Sequence, residues 1–94
     1  MTEGITKSGI KFSVDERITK DVRFLNYFII MQKENAEVLE QAEAFLGLMT
    51  LLFGGAEGVA RFEDAVASVH DGICDNKSLM DELSEILAAL NLKN

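Results

Sequence analysis

Phe45-Leu-Gly-Leu-Met-Thr-Leu-Leu-Phe53 and, before it, Val22-Arg-Phe-Leu-Asn-Tyr-Phe-Ile-Ile-Met31 decide how this chain is read. Each is too short to cross a bilayer, which takes about 20 apolar residues. Both read as helices that are apolar on more than one face, whereas a helix packed on one side needs a stripe only about 100° wide. The surplus predicts contact with another protein chain. Gly54-Gly55 stops the second stretch, because glycine takes the left-handed closing position that other residues resist.

Working outward, the first helix is predicted over about 19–32, with Thr19 or Asp15 as its cap. Val22, Leu25, Phe28 and Ile29 form one stripe, and Phe24, Tyr27 and Met31 a second beside it. Arg23, Asn26 and Lys33 mark the wet side, where Ile30 also falls. Lys33-Glu-Asn-Ala36 is a polar break with Asn35 a candidate cap, although a single kinked helix through Asn35 is an alternative. The second helix spans about 36–53, its inner stripe being Leu39, Ala42, Leu46, Met49 and Phe53, widened by Phe45, Leu48 and Leu52.

Two ordinary amphipathic helices follow. Over about 56–70, Val59, Phe62, Val66 and Val69 share a face opposite Arg61, Glu63, Asp64 and Ser68, and Asp71-Gly72 ends the run. Over about 77–90, behind a cap at Asp75 or Asn76, Leu79, Met80, Leu83, Ile86, Leu87 and Leu90 face inward and Asp81, Glu82, Ser84 and Glu85 face water. The tail Asn91–Asn94 is expected to fray.

Ahead of the helices, Ile10, Phe12 and Val14 alternate with Lys11 and Ser13, which is strand periodicity. Ser8-Gly9 reads as a two-residue turn. Counted from that turn, Lys7 faces Ile10 and Ile5 faces Phe12, so Ile5, Ile10, Phe12 and Val14 share a face in a hairpin over about 4–14. A lone hairpin is marginal in water and must rest on the helices or join another sheet. The fold class is α+β, mostly helical: one domain over residues 1–94, an N-terminal β-hairpin followed by about four helices.

Composition narrows the function. A net charge of −7 over 94 residues argues against nucleic acid and anionic membrane surfaces, both of which attract basic patches. Apolar residues make up 48% of the chain, too many for a disordered protein. Cys74 is the one cysteine, which suits a reducing cytosol, and the opening residues hold no apolar run of the signal-peptide kind.

Candidate chemistry is thin. His70, Cys74, Asp71 and Asp75 straddle one turn, and a structural zinc site wants four ligands in two spaced pairs. Gly54-Gly-Ala-Glu-Gly58 precedes a helix but lacks the Lys-Ser/Thr pair of a phosphate loop and follows a helix rather than a strand. The carboxylates fall at wet helix positions, where nothing tunes them for acid–base work. Neither catalytic residues nor a cofactor or metal is expected, and the chain is read as not an enzyme. Glu34, Glu37, Glu40 and Glu43 recur every third residue, either as a solvated face or as a docking surface for a basic partner. The apolar excess is assigned to a protein-binding surface that includes Phe24, Phe28, Met31, Leu48, Leu51 and Leu52, since large exposed apolar patches mark interaction sites and methionine-rich ones tolerate varied partners.

Three local patterns carry a resemblance. The opening Ile5-Thr-Lys-Ser-Gly-Ile-Lys-Phe-Ser-Val-Asp-Glu16 is similar to a Lys-Ser/Thr-Gly-x-Lys-Phe hairpin leading into an acidic turn. The apolar helix closes in Leu-Leu-Phe-Gly-Gly55. Asp71-Gly-Ile73 precedes Leu79-Met-Asp-Glu-Leu83. Together, and in this order over nearly the whole chain, they resemble the small tail assembly chaperones of long-tailed bacteriophages and prophages of Gram-positive bacteria, whose first helix is usually more acidic and less aromatic. The resemblance implies a non-enzymatic chaperone that binds the tape measure protein in the host bacterial cytoplasm, keeps its apolar helices from aggregating and is absent from the mature virion. It further implies self-association and, through a longer frameshifted form, contact with the tail tube protein. The residues themselves also admit a self-associating structural or scaffold protein, and an acidic regulatory adaptor.

Overall fold

The computed structural model describes residues 1–91. Two strands, β1 (Thr2–Ile5) and β2 (Lys11–Val14), pair antiparallel. A 3₁₀ turn over Glu16–Lys20 leads to α1 (Val22–Gln32), α2 (Val38–Phe53), α3 (Ala56–Val69) and α4 (Asn76–Ala89). This is the mostly helical α+β architecture that the periodicities predict. Of the tail expected to fray, the residues after Asn91 lie outside those described.

The hairpin register differs from the expected one by a single residue. Gly4 faces Phe12 and Ile5 faces Lys11. The connection is not a two-residue turn but a wider loop that Thr6 closes. Its N–H donates to the Ile10 carbonyl, its carbonyl accepts from Gly9 N, and its hydroxyl accepts from Ile10 N at 3.1 Å. A one-residue slip sends a side chain to the other face of a sheet. Ile5 is therefore 61% exposed, while Ile10 and Val14 enter the core and Phe12 packs against it.

Helix α1 starts later than predicted because there are two caps rather than one. Asp15 accepts from Arg17 N and opens the 3₁₀ turn; Asp21, with an extended backbone, accepts from Arg23 N at 2.8 Å and opens α1. Each aspartate also pairs with the guanidinium of the arginine two residues on. Helices α1 and α2 are separate and form an antiparallel hairpin, so there is no continuous kinked helix. Near its turn Gln41 Nε2 donates to the Lys33 carbonyl, and further along the Tyr27 ring lies over Gly47. Glu37, not Asn35, occupies the α2 N-cap position.

The α2–α3 connection is sharp, with a 99° bend. Gly54 is left-handed at φ 79°, and the N–H groups of Gly54 and Gly55 both return to the Thr50 carbonyl. Gly58 lies so close under the Phe53 carbonyl that a Cβ there would collide with it. The bend stacks Phe53 on Phe62, ring centres 4.4 Å apart. The glycine cluster is thus a closure between packed helices.

The four helices and β2 contribute to one core. Leu83, Ile86 and Leu87 of α4, Val66 of α3, Leu48 of α2, Phe24 of α1 and Val14 of β2 are almost wholly buried. The stripes predicted for α3 and α4 match this, with two exceptions. Val69 is half-exposed, and Glu82, expected to face water, is 1% exposed.

Candidate interaction surface

Helices α1 and α2 turn other faces inward than the sequence suggested. On α1 the inner set is Phe24, Tyr27, Phe28 and Met31, while Val22, Leu25 and Ile29 stand outside at 68%, 40% and 58% exposure. The reason lies on the facing helix. Gly47 has no side chain, so the Tyr27 ring settles against bare backbone and the aromatic face of α1 approaches closely. Large rings bury more area than β-branched side chains, so this orientation wins. On α2, Ala44, Leu48, Met49 and Leu52 are buried, whereas Leu39, Ala42 and Leu46, expected inside, are exposed.

This relocates the predicted binding residues. Phe24, Leu48 and Leu52 are core residues, and Phe28, Met31 and Leu51 are partly buried against the same core. They do not form the expected exposed surface. The apolar excess exists, but other residues carry it: Val22, Leu25 and Ile29 on α1, and Val38, Leu39 and Leu46 on α2. Fully burying a side chain of this kind gains ~1.5–3 kcal/mol. Leaving six largely outside forgoes an energy comparable to a small domain's usual margin of stability.

The α2 set borders a half-open groove of about 500 Å³. Val38, Ala42, Phe45, Leu46 and Met49 form one wall along α2; Leu79 and Met80 of α4 form the other, and Met31 of α1 closes one side. Only Gln41, Glu63 and Asn76 bring polar groups into the lining. Three methionines supply a wall that reshapes at low cost, because the thioether chain is unbranched and polarizable. At 100° per residue, Leu39 lies between this wall and Glu43 on the α2 surface, with Glu40 beyond. Glu34, Glu37, Glu40 and Glu43 are all exposed. The groove thus has an apolar floor and an acidic flank.

A second feature lies at the other end of α4. His70 Nε2 sits 2.9 Å from Glu82 Oε2, and Lys7 N donates to Glu85 Oε1 at 2.9 Å. Burial works to raise the Glu82 pKa, but the Thr6 hydroxyl, His70 and the Ser8 hydroxyl together hold it below the ordinary carboxylate range. Oε1 itself has no hydrogen-bond partner among the described residues, so the hydroxyls act on it as neighbouring dipoles. The cluster ties the hairpin loop to α3 and α4. It is not a nucleophile triad, since that arrangement needs the hydroxyl on the histidine and the acid on the opposite ring nitrogen. Here the hydroxyls of Thr6 and Ser8 lie by the acid instead.

The remaining candidates are placed as follows. Asp75 caps α4 through Ser78 N at 2.7 Å, and His70 is directed at Glu82. No three His, Cys, Asp or Glu side chains converge as metal ligands among the described residues. Burial pushes the Cys74 thiol up, away from the reactive thiolate. Among the described residues no single helix is long and apolar enough to cross a membrane; α2 and α3 reach the necessary length only as a bent pair.

Sequence reasoning missed Glu82 and the groove. Glu82 was within reach: on a helical wheel it lies about 40° from Ile86, at the edge of the α4 stripe. The groove left no such signal, because its lining gathers residues from all four helices, from Met31 to Met80. No family model, curated protein or solved structure matches the chain.

Proposed function

We propose that this chain is a non-enzymatic assembly chaperone of the phage tail type, which takes apolar helical segments of a tape measure protein into the α2–α4 groove. The observation that carries the reading is the groove, an open apolar trough with methionines and exposed Leu46 in its walls and Leu39 exposed beside it. A trough between helices suits an amphipathic helix laid in by its apolar face. The exposed glutamates along α2 favour a client helix with basic flanks and repel acidic ones. The resemblance of the hairpin, the glycine closure and the Asp71-Gly-Ile73 turn to tail assembly chaperones supplies the client's identity. On this reading the chaperone works in the host bacterial cytoplasm, leaves before the virion matures, and reaches the tail tube protein through a longer form.

The test is co-expression with the tape measure protein and recovery of the client in the soluble fraction. Val38→Asp and Leu46→Asp place charge on exposed positions of the groove wall, so the fold survives, as circular dichroism will report. Client recovery is expected to fall roughly tenfold or more, the scale of an interface hot spot. Undiminished recovery by both variants rejects the groove as the client site.

A further inference from the structure

We propose that Glu63 makes the groove selective for helices that carry one lysine or arginine within their apolar face, and that the pairing fixes where such a helix seats. The inference rests on the groove reading above and specifies the client's chemistry at one position. Glu63 of α3 is the single charged side chain in the groove lining among the described residues. It is half-buried and has no hydrogen bond or ion pair among those residues.

The cations nearest in sequence are turned elsewhere. On α3 the positions three and four residues from Glu63 hold Val59, Ala60, Val66 and Ala67, so no helical neighbour can pair with it. Arg61 lies about 160° round the helix from it. Lys77, at the start of α4, is engaged with Asp81 at 2.8 Å. Asn76 adds an amide to the same lining but no charge. The charge of Glu63 is also felt at the α3–α4 connection: behind the larger effect of burial, Glu63, Asp75 and Asp64 together hold the Cys74 thiol up.

A wholly aliphatic helix laid over Glu63 strips water from the carboxylate and returns nothing, which is costly for a charge. A lysine or arginine avoids that loss. Its methylene stem packs along the apolar wall while its charged head meets the carboxylate. One charge in an apolar lining also sets register, since the pairing is made at one seating and lost when the helix slides by a turn of about 5.4 Å. Glu40 and Glu43 lie outside the lining, on the exposed flank, and cannot single out a position in this way.

The test uses the full chain and an acetylated, labelled helical peptide of about 15 residues. Leucines line one face of the peptide, with lysine, norleucine or glutamate at the centre of that face. Binding is read by fluorescence anisotropy. The lysine peptide is expected to bind about fivefold tighter than the norleucine peptide, the scale of an ion pair still open to solvent, with the glutamate peptide weakest. High salt should shrink the preference. Glu63→Gln, close in shape, is expected to erase the preference without weakening the norleucine peptide, and Glu63→Lys to favour norleucine over lysine. Carbodiimide, which joins an amine to a nearby carboxylate as an amide, is expected to couple the peptide lysine to Glu63. Equal binding of the lysine and norleucine peptides, a preference that survives Glu63→Gln, or coupling confined to Glu40 and Glu43 overturns the proposal and leaves the groove reading intact. A wild type that binds none of the peptides removes the groove reading, and this inference with it.

Discussion

Helices α4 and α1 are similar in length and both are rich in large aliphatic side chains, yet they behave as opposites. In α4 every leucine and isoleucine of the stripe is buried, and the one acid drawn in, Glu82, is met by His70. In α1 only Phe24 is buried outright, while Val22, Leu25 and Ile29 face outward. Helix α4 gives the leucines and isoleucine of its stripe wholly to the core. Helix α1 divides its apolar surface between the core and the exterior. Being the more apolar helix, as α1 is, therefore does not imply the larger share in stability, and substitutions can measure the difference.

The largest effect is expected in α4. Leu83→Ala or Ile86→Ala removes a fully buried side chain and should cost about 2–5 kcal/mol, measured by chemical denaturation. The matching change Ile29→Ala on α1 should stay within about 0.5 kcal/mol, as exposed substitutions generally do. Equal losses at the two sites erase the contrast. Next comes the polar anchor: Glu82→Ala strands His70 and abandons the hairpin loop, at about 1–3 kcal/mol. Glu82→Leu should recover part of this, because a buried ionic contact is often replaceable by apolar volume; if it is as damaging as Glu82→Ala, the anchor does more than fill space.

Gly47→Ala is expected to destabilise by about 1–3 kcal/mol through the displaced Tyr27 ring, although alanine is the better helix former by about 1 kcal/mol. A stabilised variant would show that the α1–α2 approach does not depend on the missing side chain. The smallest effect is expected from acid. The Arg17 side chain and N–H hold Asp15, and those of Arg23 hold Asp21, at about 2 against an ordinary value of 3.8. A lowered folded pKa contributes stability above the unfolded value, and this is lost as pH falls through the folded one. The contribution of these two exposed caps should therefore be constant above about pH 4 and fade toward pH 2. Asp15→Asn with Asp21→Asn should flatten that part of the stability profile, followed by thermal melting across the range.

The same contrast explains what could be read in advance. In α3 and α4 the polar residues mark one side, so the wheel has a single solution and the stripes were legible. In α1 and α2 apolar residues occupy most directions, and several inner faces satisfy the pattern equally. Gly47 opposite Tyr27 breaks the tie, and that pairing joins two helices rather than neighbours in the chain. The hairpin was legible as a hairpin but not in register, because the Thr6 hydroxyl competes with a tight turn at Ser8-Gly9 by bonding Ile10 N. The six residues expected to bind a partner fell in or against the core for the reason that made them conspicuous: the largest side chains gain most from burial wherever it is offered.

From residue order alone came the element types and their succession, the glycine closure after Phe53, a cap of α4 at Asp75 or Asn76 and the existence of more apolar surface than one small domain can hide. These depend on local backbone preference and on the periodicity of each helix, which a chain carries wherever it is. Which flank of α1 and α2 stays wet, where the groove opens and why Glu82 is drawn inside were settled by packing. Each depends on volumes and dipoles contributed by segments distant in the chain, and only their contact in three dimensions ranks one orientation above another.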